Sequence, residues 1–385
     1  MSLQRLALLV VCFSAFVNGI QLAAQSEDMS PFTMDHRRGA LTQSPVDVSY
    51  LLDAPAGKHG FVQVKDGHLA TGDGQRIRFW GVNITDWSKG SRQIPSKEDS
   101  VYLAATLARF GVNSVRFQFL DLDAPRGLVK KGDSTRALED EAFDQEDYFI
   151  AELEKRGIYI DFNLLVGRPF RIGDGVKDAE MLRQGAKGTS LYDTRMIELQ
   201  KEYAMQLLTH ENPYTKRRYV DDPAVAIVEI NNENAINVGF HAPSAFYQTE
   251  LTGLYGDWLA KHRSAEQVAR LREICHVTAD AAAPLLSRKE QTAEAPPERF
   301  YAEAEFYTDL QARVLPGYGE VLEGDAEVEV DGDCDGGPQP FEQRLSDSVG
   351  DAGHGHHRRT YVLATSGVLP EEAADGERPI QLHGR

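Results

Sequence analysis

The stretch Asp221-Asp-Pro-Ala-Val-Ala-Ile-Val-Glu-Ile-Asn-Asn-Glu-Asn234 decides how this chain folds. Within it, residues 225–230 form a short apolar run, rich in β-branched side chains and preceded by Pro223, which predicts a buried strand. No ordinary turn follows. Asn231, Asn232, Glu233 and Asn234 instead bring three amides and a carboxyl to the strand's carboxyl end.

Working back along the chain, the same kind of run recurs at 77–84, 112–119 and 158–165, and helical patterns cover 96–110, 144–156 and 196–208. Ser96 followed by Asp99 marks a helix start, and Gly111 and Gly157 close two helices. Alternation of this kind, with strands read as apolar on both faces, predicts a parallel sheet covered by helices. Polar loops bearing Gly and Pro follow each strand, which suits a (β/α)₈ TIM-barrel type, whose site is built at that end. A doubly wound dinucleotide fold is disfavoured, because residues 81–87 lack a Gly-x-Gly-x-x-Gly cradle and offer side chains instead. Ahead of the barrel, residues 61–65 and 76–79 read as the arms of an N-terminal β-hairpin, with Asp66-Gly67 as a turn.

The ends of the chain are different in character. Residues 1–24 read as a secretory signal peptide, with Arg5 before an apolar stretch too short to span a bilayer, and place the protein as secreted or periplasmic. The barrel domain occupies 45–315 and is incomplete, with about five of eight units legible. Residues 316–385 show no period and read as a disordered or out-of-frame tail. In that tail, the His354-Gly-His-His cluster and the acidic run around Asp331 lack the spacing of a metal site.

Of the 385 residues, 42% are hydrophobic, enough for a large core, and 59 acidic against 41 basic side chains give a formal net charge of -18. Such a balance, without a basic stripe, argues against nucleic acid as a partner, and after removal of the signal it argues against a membrane. Three cysteines are too few for a disulfide framework.

Glutamic acid that can donate a proton suits glycosidic cleavage, since the leaving sugar oxygen departs poorly until it is protonated. Glu233 is the candidate acid/base. Arg116, ending the second strand, can hold a carboxylate ionised, or can form an ordinary ion pair with Asp121 or Asp123. Trp87, Asn83 and Asn234 are candidate substrate contacts, whereas Trp80 reads as a core residue of its strand and Trp258 as helix core. A final helix over 300–314 has Phe300, Ala304 and Tyr307 on one face.

These residues have a known counterpart. Asp221-Asp-Pro-Ala-Val with Glu229-Ile-Asn-Asn-Glu233 resembles the fourth-strand signature of clan A glycoside hydrolases, most closely the family 5-like cellulases and β-mannanases. The similarity extends through Asn212-Pro-Tyr214, Arg195-Met-Ile-Glu-Leu-Gln200, Gly111-Val-Asn-Ser-Val-Arg116 and Phe79-Trp-Gly-Val-Asn83. The resemblance implies a retaining glycosidase acting on a β-linked polysaccharide or oligosaccharide, with no metal and no organic cofactor. It implies Glu233 as the acid/base, Asn232 as the residue that holds the sugar 2-hydroxyl, and Arg116 as the support of the nucleophile. In that clan the nucleophile ends the seventh strand, and this sequence has no such strand, so the nucleophile is missing. Histidines expected after the second and third strands are replaced by Gln118-Phe-Leu120 and by Leu165. An inactive carbohydrate-binding barrel and a non-functional truncated product are the alternatives.

Overall fold

The computed structural model describes residues 47–85, 93–234, 236, 243–278, 281–286 and 295–313. The expected signal at 1–24, Trp87, the tail at 316–385 and its histidine and acidic clusters lie outside the described residues.

Strands β1 (Gln63–Lys65) and β2 (His68–Ala70) make a short antiparallel hairpin. Its second arm is not 76–79. Asp66 and Gly67 both take positive φ, 50° and 71°, and such a two-residue turn pairs the strands directly on either side of it. Arg76 makes only an isolated bridge to Ala70.

Four strands then form a parallel sheet in the order β3 (Gly81–Ile84), β4 (Ser114–Phe117), β5 (Tyr159–Asn163), β8 (Val225–Glu229). Helices α1 (Lys97–Arg109), α2 (Asp140–Glu154) and α3 (Thr194–Leu208) occupy the three crossovers. A two-residue ladder, β6 (Glu211–Asn212) with β7 (Arg217–Arg218), lies between α3 and β8. Helices α4 (Ala245–His262), α5 (Ala265–Ile274) and α6 (Pro297–Ala312) follow. Among the described residues the sheet is open: this is an incomplete barrel of the (β/α)₈ type, with four parallel strands where about five units were expected.

Local chemistry sets the boundaries. The Ser96 hydroxyl accepts the Asp99 N–H at 3.1 Å and starts α1, and the Asp193 carboxylate accepts the Met196 N–H at 2.7 Å and starts α3. Gly111 (φ 71°) and Gly157 (φ 80°) follow the ends of α1 and α2 in the left-handed conformation, where a side chain would be strained.

Successive residues of a strand point to opposite faces. One face of the sheet is apolar: Val115, Phe117, Ile160, Phe162 and Val228 are buried in a single core against the helices, with Val82 and Ile84 packed on it. The other face departs from the expectation of strands apolar on both sides. It carries Asn83, Arg116, Gln118, Asp161, Asn163 and Glu229, so β3, β4 and β5 alternate along their length, while β8 is apolar up to Glu229 at its end. At the amino ends that face is closed by a small apolar cluster in which Val62 and Ala56 meet Tyr159, Ala224 and Ala226. The hairpin region therefore plugs one end of the interior, and the polar groups gather towards the other.

A second core joins α3 to the later helices, with Met196, Leu199, Tyr247, Trp258 and Phe306 buried together. Trp258 is a core residue as expected, at 3% exposure. Trp80 is not: it precedes β3, the edge strand, and is 69% exposed. The helix begins at Pro297, and its buried face is Ala302, Phe306 and Leu310, with Phe300 turned outward at 41% exposure rather than on the core side.

Candidate active site

Register across the sheet lines up the polar face. Asn83 stands opposite Arg116, Arg116 opposite Asp161, and Asn163 opposite Glu229. A register shift between Ile160 and Asp161 adjusts the pairing with β8.

Arg116 is the hub. Its Nε donates to Glu229 Oε1 at 3.0 Å and its Nη2 to Glu229 Oε2 at 2.5 Å, the paired geometry that suits a guanidinium and a carboxylate. Nη2 also donates to Asn232 Oδ1 at 2.9 Å, and Nη1 reaches Asn83 Oδ1 at 3.4 Å. Burial works against the charge on Arg116, but the hydrogen bond and charge of Glu229 outweigh it and its pKa is raised. Asn163 Nδ2 donates to Glu229 Oε2 at 2.5 Å. Glu229 is thus bound through both oxygens.

Neither expected ion-pair partner of Arg116 takes that part. Asp121 is fully buried, and its Oδ2 accepts the N–H groups of Val166, Gly167 and Arg168, each at 2.8 Å. Asp123 pairs with Arg171. Glu229 was missed because it sits inside the strand motif and was counted as part of it. The signal was a single carboxylate, Glu229, set inside the otherwise apolar run 225–230.

Asp161, on the same face, has Oδ1 buried without a partner among the described residues. Burial first, then the charge of Glu229, push its carboxyl up to about 7, against the opposing pull of Arg116.

The loop after β8 is held to the loop after β5: Leu164 N–H donates to the Glu229 carbonyl at 2.9 Å, and Asn232 N–H to the Leu165 carbonyl at 2.8 Å. Asn232 is 7% exposed, with its side-chain oxygen committed to Arg116. Glu233 follows with φ 46°, an uncommon conformation for glutamate. Its side chain is 56% exposed, and Oε2 lies 3.5 Å from Lys187 Nζ. Asn234 turns inward instead, accepting the Gly188 N–H at 2.7 Å and donating to Ser190 Oγ at 2.9 Å, so its amide pins the 188–190 segment. The amide of Asn83 donates to Gln118 Oε1 at 2.5 Å.

Arg116, Asn83, Asn232 and Glu233 are therefore gathered at the carboxyl end of the sheet, with Asn234 directed into the loop beneath. Among the described residues no group of His, Cys, Asp and Glu could hold a metal ion, and no helix is long and apolar enough to cross a membrane.

With Glu229-Ile-Asn-Asn-Glu233 ending the fourth parallel strand and Arg116 on the second, motif and position coincide. The chain resembles clan A glycoside hydrolases of the family 5 type. No family model and no curated protein sequence matches it. Among solved structures it is similar to the endo-1,4-beta-mannanase from Rhizomucor miehei, at 18% identity over 63% of this chain and 65% of that one, with a TM-score of 0.37. It is also similar to the endo-beta-1,4-mannanase from Thermotoga petrophila (18% identity, 52% and 41% of the two chains, TM-score 0.33). A glycoside hydrolase family 5 protein from Bacteroides vulgatus shares 20% identity over 46% of this chain and 34% of that one, with a TM-score of 0.31. The chain thus spans less than two thirds of the length of each of these.

Proposed function

We propose that this chain is a secreted or periplasmic glycosidase-type barrel, of domain extent 45–315, that engages a β-linked polysaccharide or oligosaccharide and protonates its glycosidic oxygen. Glu233 is the proton donor. A neutral carboxyl in that role gives up its proton as the bond to the leaving oxygen lengthens, and positive charge grows on the sugar ring. Asn232 holds the hydroxyl beside the breaking bond, and Arg116 is the positioning residue for Asn232.

The observation that carries this reading is the bond from Arg116 Nη2 to Asn232 Oδ1 at 2.9 Å. It fixes the amide so that its oxygen faces the guanidinium and its Nδ2 is the end left to donate to a ligand. Locked on Glu229, the guanidinium cannot swing away, so the donor is oriented before any sugar arrives. The left-handed backbone at Glu233 is a second support, since such conformations cluster where side chains must be aimed.

A retaining mechanism needs a second carboxylate about 5 to 5.5 Å from the first. On this face Glu229 is engaged by Arg116 and Asn163, and Asp161 is largely buried, so neither is offered as a nucleophile. That same observation favours a second reading, a barrel that binds glycan without cutting it. Release of reducing sugar from β-mannan and from β-glucan by the full chain and by Glu233→Gln separates the two. Release lost in the variant supports the first reading, and binding with no release in either protein supports the second.

A further inference from the structure

Lys187 and Glu233 meet from different loops, Nζ to Oε2 at 3.5 Å, and each is fixed through its neighbour in the chain. Asn234, next to Glu233, accepts the N–H of Gly188, next to Lys187, at 2.7 Å and donates to Ser190 Oγ at 2.9 Å. The separation of the two charged side chains is therefore set by a hydrogen bond one residue away from both.

The loop that bears Lys187 is built for this placement. On its other side Gly185 N–H donates to the Arg168 carbonyl at 3.2 Å, and a Cβ at Gly185 would stand 2.7 Å from the Val166 carbonyl oxygen, so the loop lies hard against the segment that follows β5. Ala186 takes φ 45°, a left-handed conformation that strains any residue but glycine, and burial in the second core holds it there. With Ala186 inside and Gly188 tied down, Lys187 is presented to Glu233. Among the described residues Glu233 is the one hydrogen-bond or ion-pair partner of Lys187. Arg116 also lies within electrostatic reach of Glu233, but its N–H groups are engaged by Glu229, Asn232 and Asn83. An ion pair as exposed as Lys187 with Glu233 stabilises a fold only weakly, so stability alone does not account for a strained loop that aims it.

We infer that Lys187 is a positioning residue for the proton donor, its ammonium holding the carboxylate that Glu233 becomes during the reaction. The O–H bond of Glu233 breaks as an O–H bond forms on the glycosidic oxygen, which leaves with the electron pair of the C–O bond. The negative charge left on Glu233 grows along that path, and a cation already in place at 3.5 Å favours the transition state over the bound substrate. The inference rests on the reading of Glu233 as the proton donor and adds a second group to that step.

Leaving-group dependence tests it, with the full chain acting on mannotetraose, whose leaving sugar needs a proton, and on dinitrophenyl β-mannoside, whose phenolate leaves without one. In Lys187→Met the loss of kcat on mannotetraose is about tenfold larger than the loss on the dinitrophenyl substrate, with KM unchanged, and Lys187→Arg restores most of it. Glu233→Gln shows the same preference more strongly. Equal losses on the two substrates in Lys187→Met, or no loss on either, overturn the inference and spare the reading of Glu233, whose own variant still separates them. Equal losses in Glu233→Gln, or no release from either substrate by the wild-type chain, remove the proton-donor reading and the inference together.

Discussion

Arg116 on β4 and Glu229 on β8 clasp each other across the intervening strand β5, whose Asn163 bonds the same carboxylate. Neighbouring strands lie about 4.8 Å apart, so only a side chain as long as arginine spans two such steps. The pair therefore ties together three strands of a sheet that is open among the described residues, and it also orients Asn232.

Removing one partner leaves the other charged and largely buried, the Glu229 side chain being 11% exposed. Arg116→Met is expected to lower unfolding stability by about 3 kcal/mol, and the double variant Arg116→Met/Glu229→Leu to recover most of it. Chemical denaturation of the two single variants and the double variant measures the coupling. Additive losses would mean that the pair is not a unit.

Asp161 gives stability a pH slope of known sign. Its carboxyl is pushed up to about 7, above the ordinary 3.8, so the folded chain keeps a proton that the unfolded chain has released. Stability is fullest below about pH 4 and falls as pH rises towards 7, by about 4 kcal/mol at most. Asp161→Asn removes this contribution. Denaturation midpoints against pH should therefore be flatter in the variant, and parallel curves would show that Asp161 does not carry the slope.

Glu146, on α2, is fully buried, and neither of its oxygens has a partner among the described residues. Burial, then the charge of Asp147, raises its pKa well above the ordinary carboxylate range. An apolar side chain of similar length pays no such desolvation, so Glu146→Met is expected to raise stability at neutral pH by about 1 to 3 kcal/mol. Thermal unfolding reads this directly, as a higher midpoint.

The three N–H groups held by Asp121 lose their acceptor in Asp121→Ala. A loss of about 2 to 4 kcal/mol is expected, with faster hydrogen exchange at Val166, Gly167 and Arg168. Unchanged exchange at those amides would show that another group clamps the loop.

Much of the sheet was legible because its signals are local. Pro223 and the branched run set β8, Ser96 with Asp99 set the start of α1, and Gly111 and Gly157 set the ends of two helices. Glu233, Asn232 and Arg116 were legible as a group because they follow or end buried runs, where a carboxyl, an amide or a guanidinium stands out.

What was not legible depends on contacts between distant residues. Glu229 as the partner of Arg116 lies 113 residues away, and nothing near Arg116 in the chain points to it. Asp121 looked like a salt-bridge partner because it is close in sequence, yet its carboxylate serves backbone N–H groups of a loop 45 residues on. Trp80 looked like core because an apolar run surrounds it, and is exposed because β3 is the edge strand. The polar interior face was hidden for a related reason: β4 and β5 each place single polar residues, Arg116 and Asp161, between large apolar ones, and which face of the pleat meets helices is settled only when the sheet forms.

The most direct measurement is reducing-sugar release from soluble β-mannan by the full chain beside Glu233→Gln and Arg116→Met. With Glu233 as the proton donor, the wild-type chain releases sugar, Glu233→Gln loses at least about a hundredfold of that rate, and Arg116→Met loses it in part. Equal release by wild type and Glu233→Gln would contradict the account, since the proton would then come from another group.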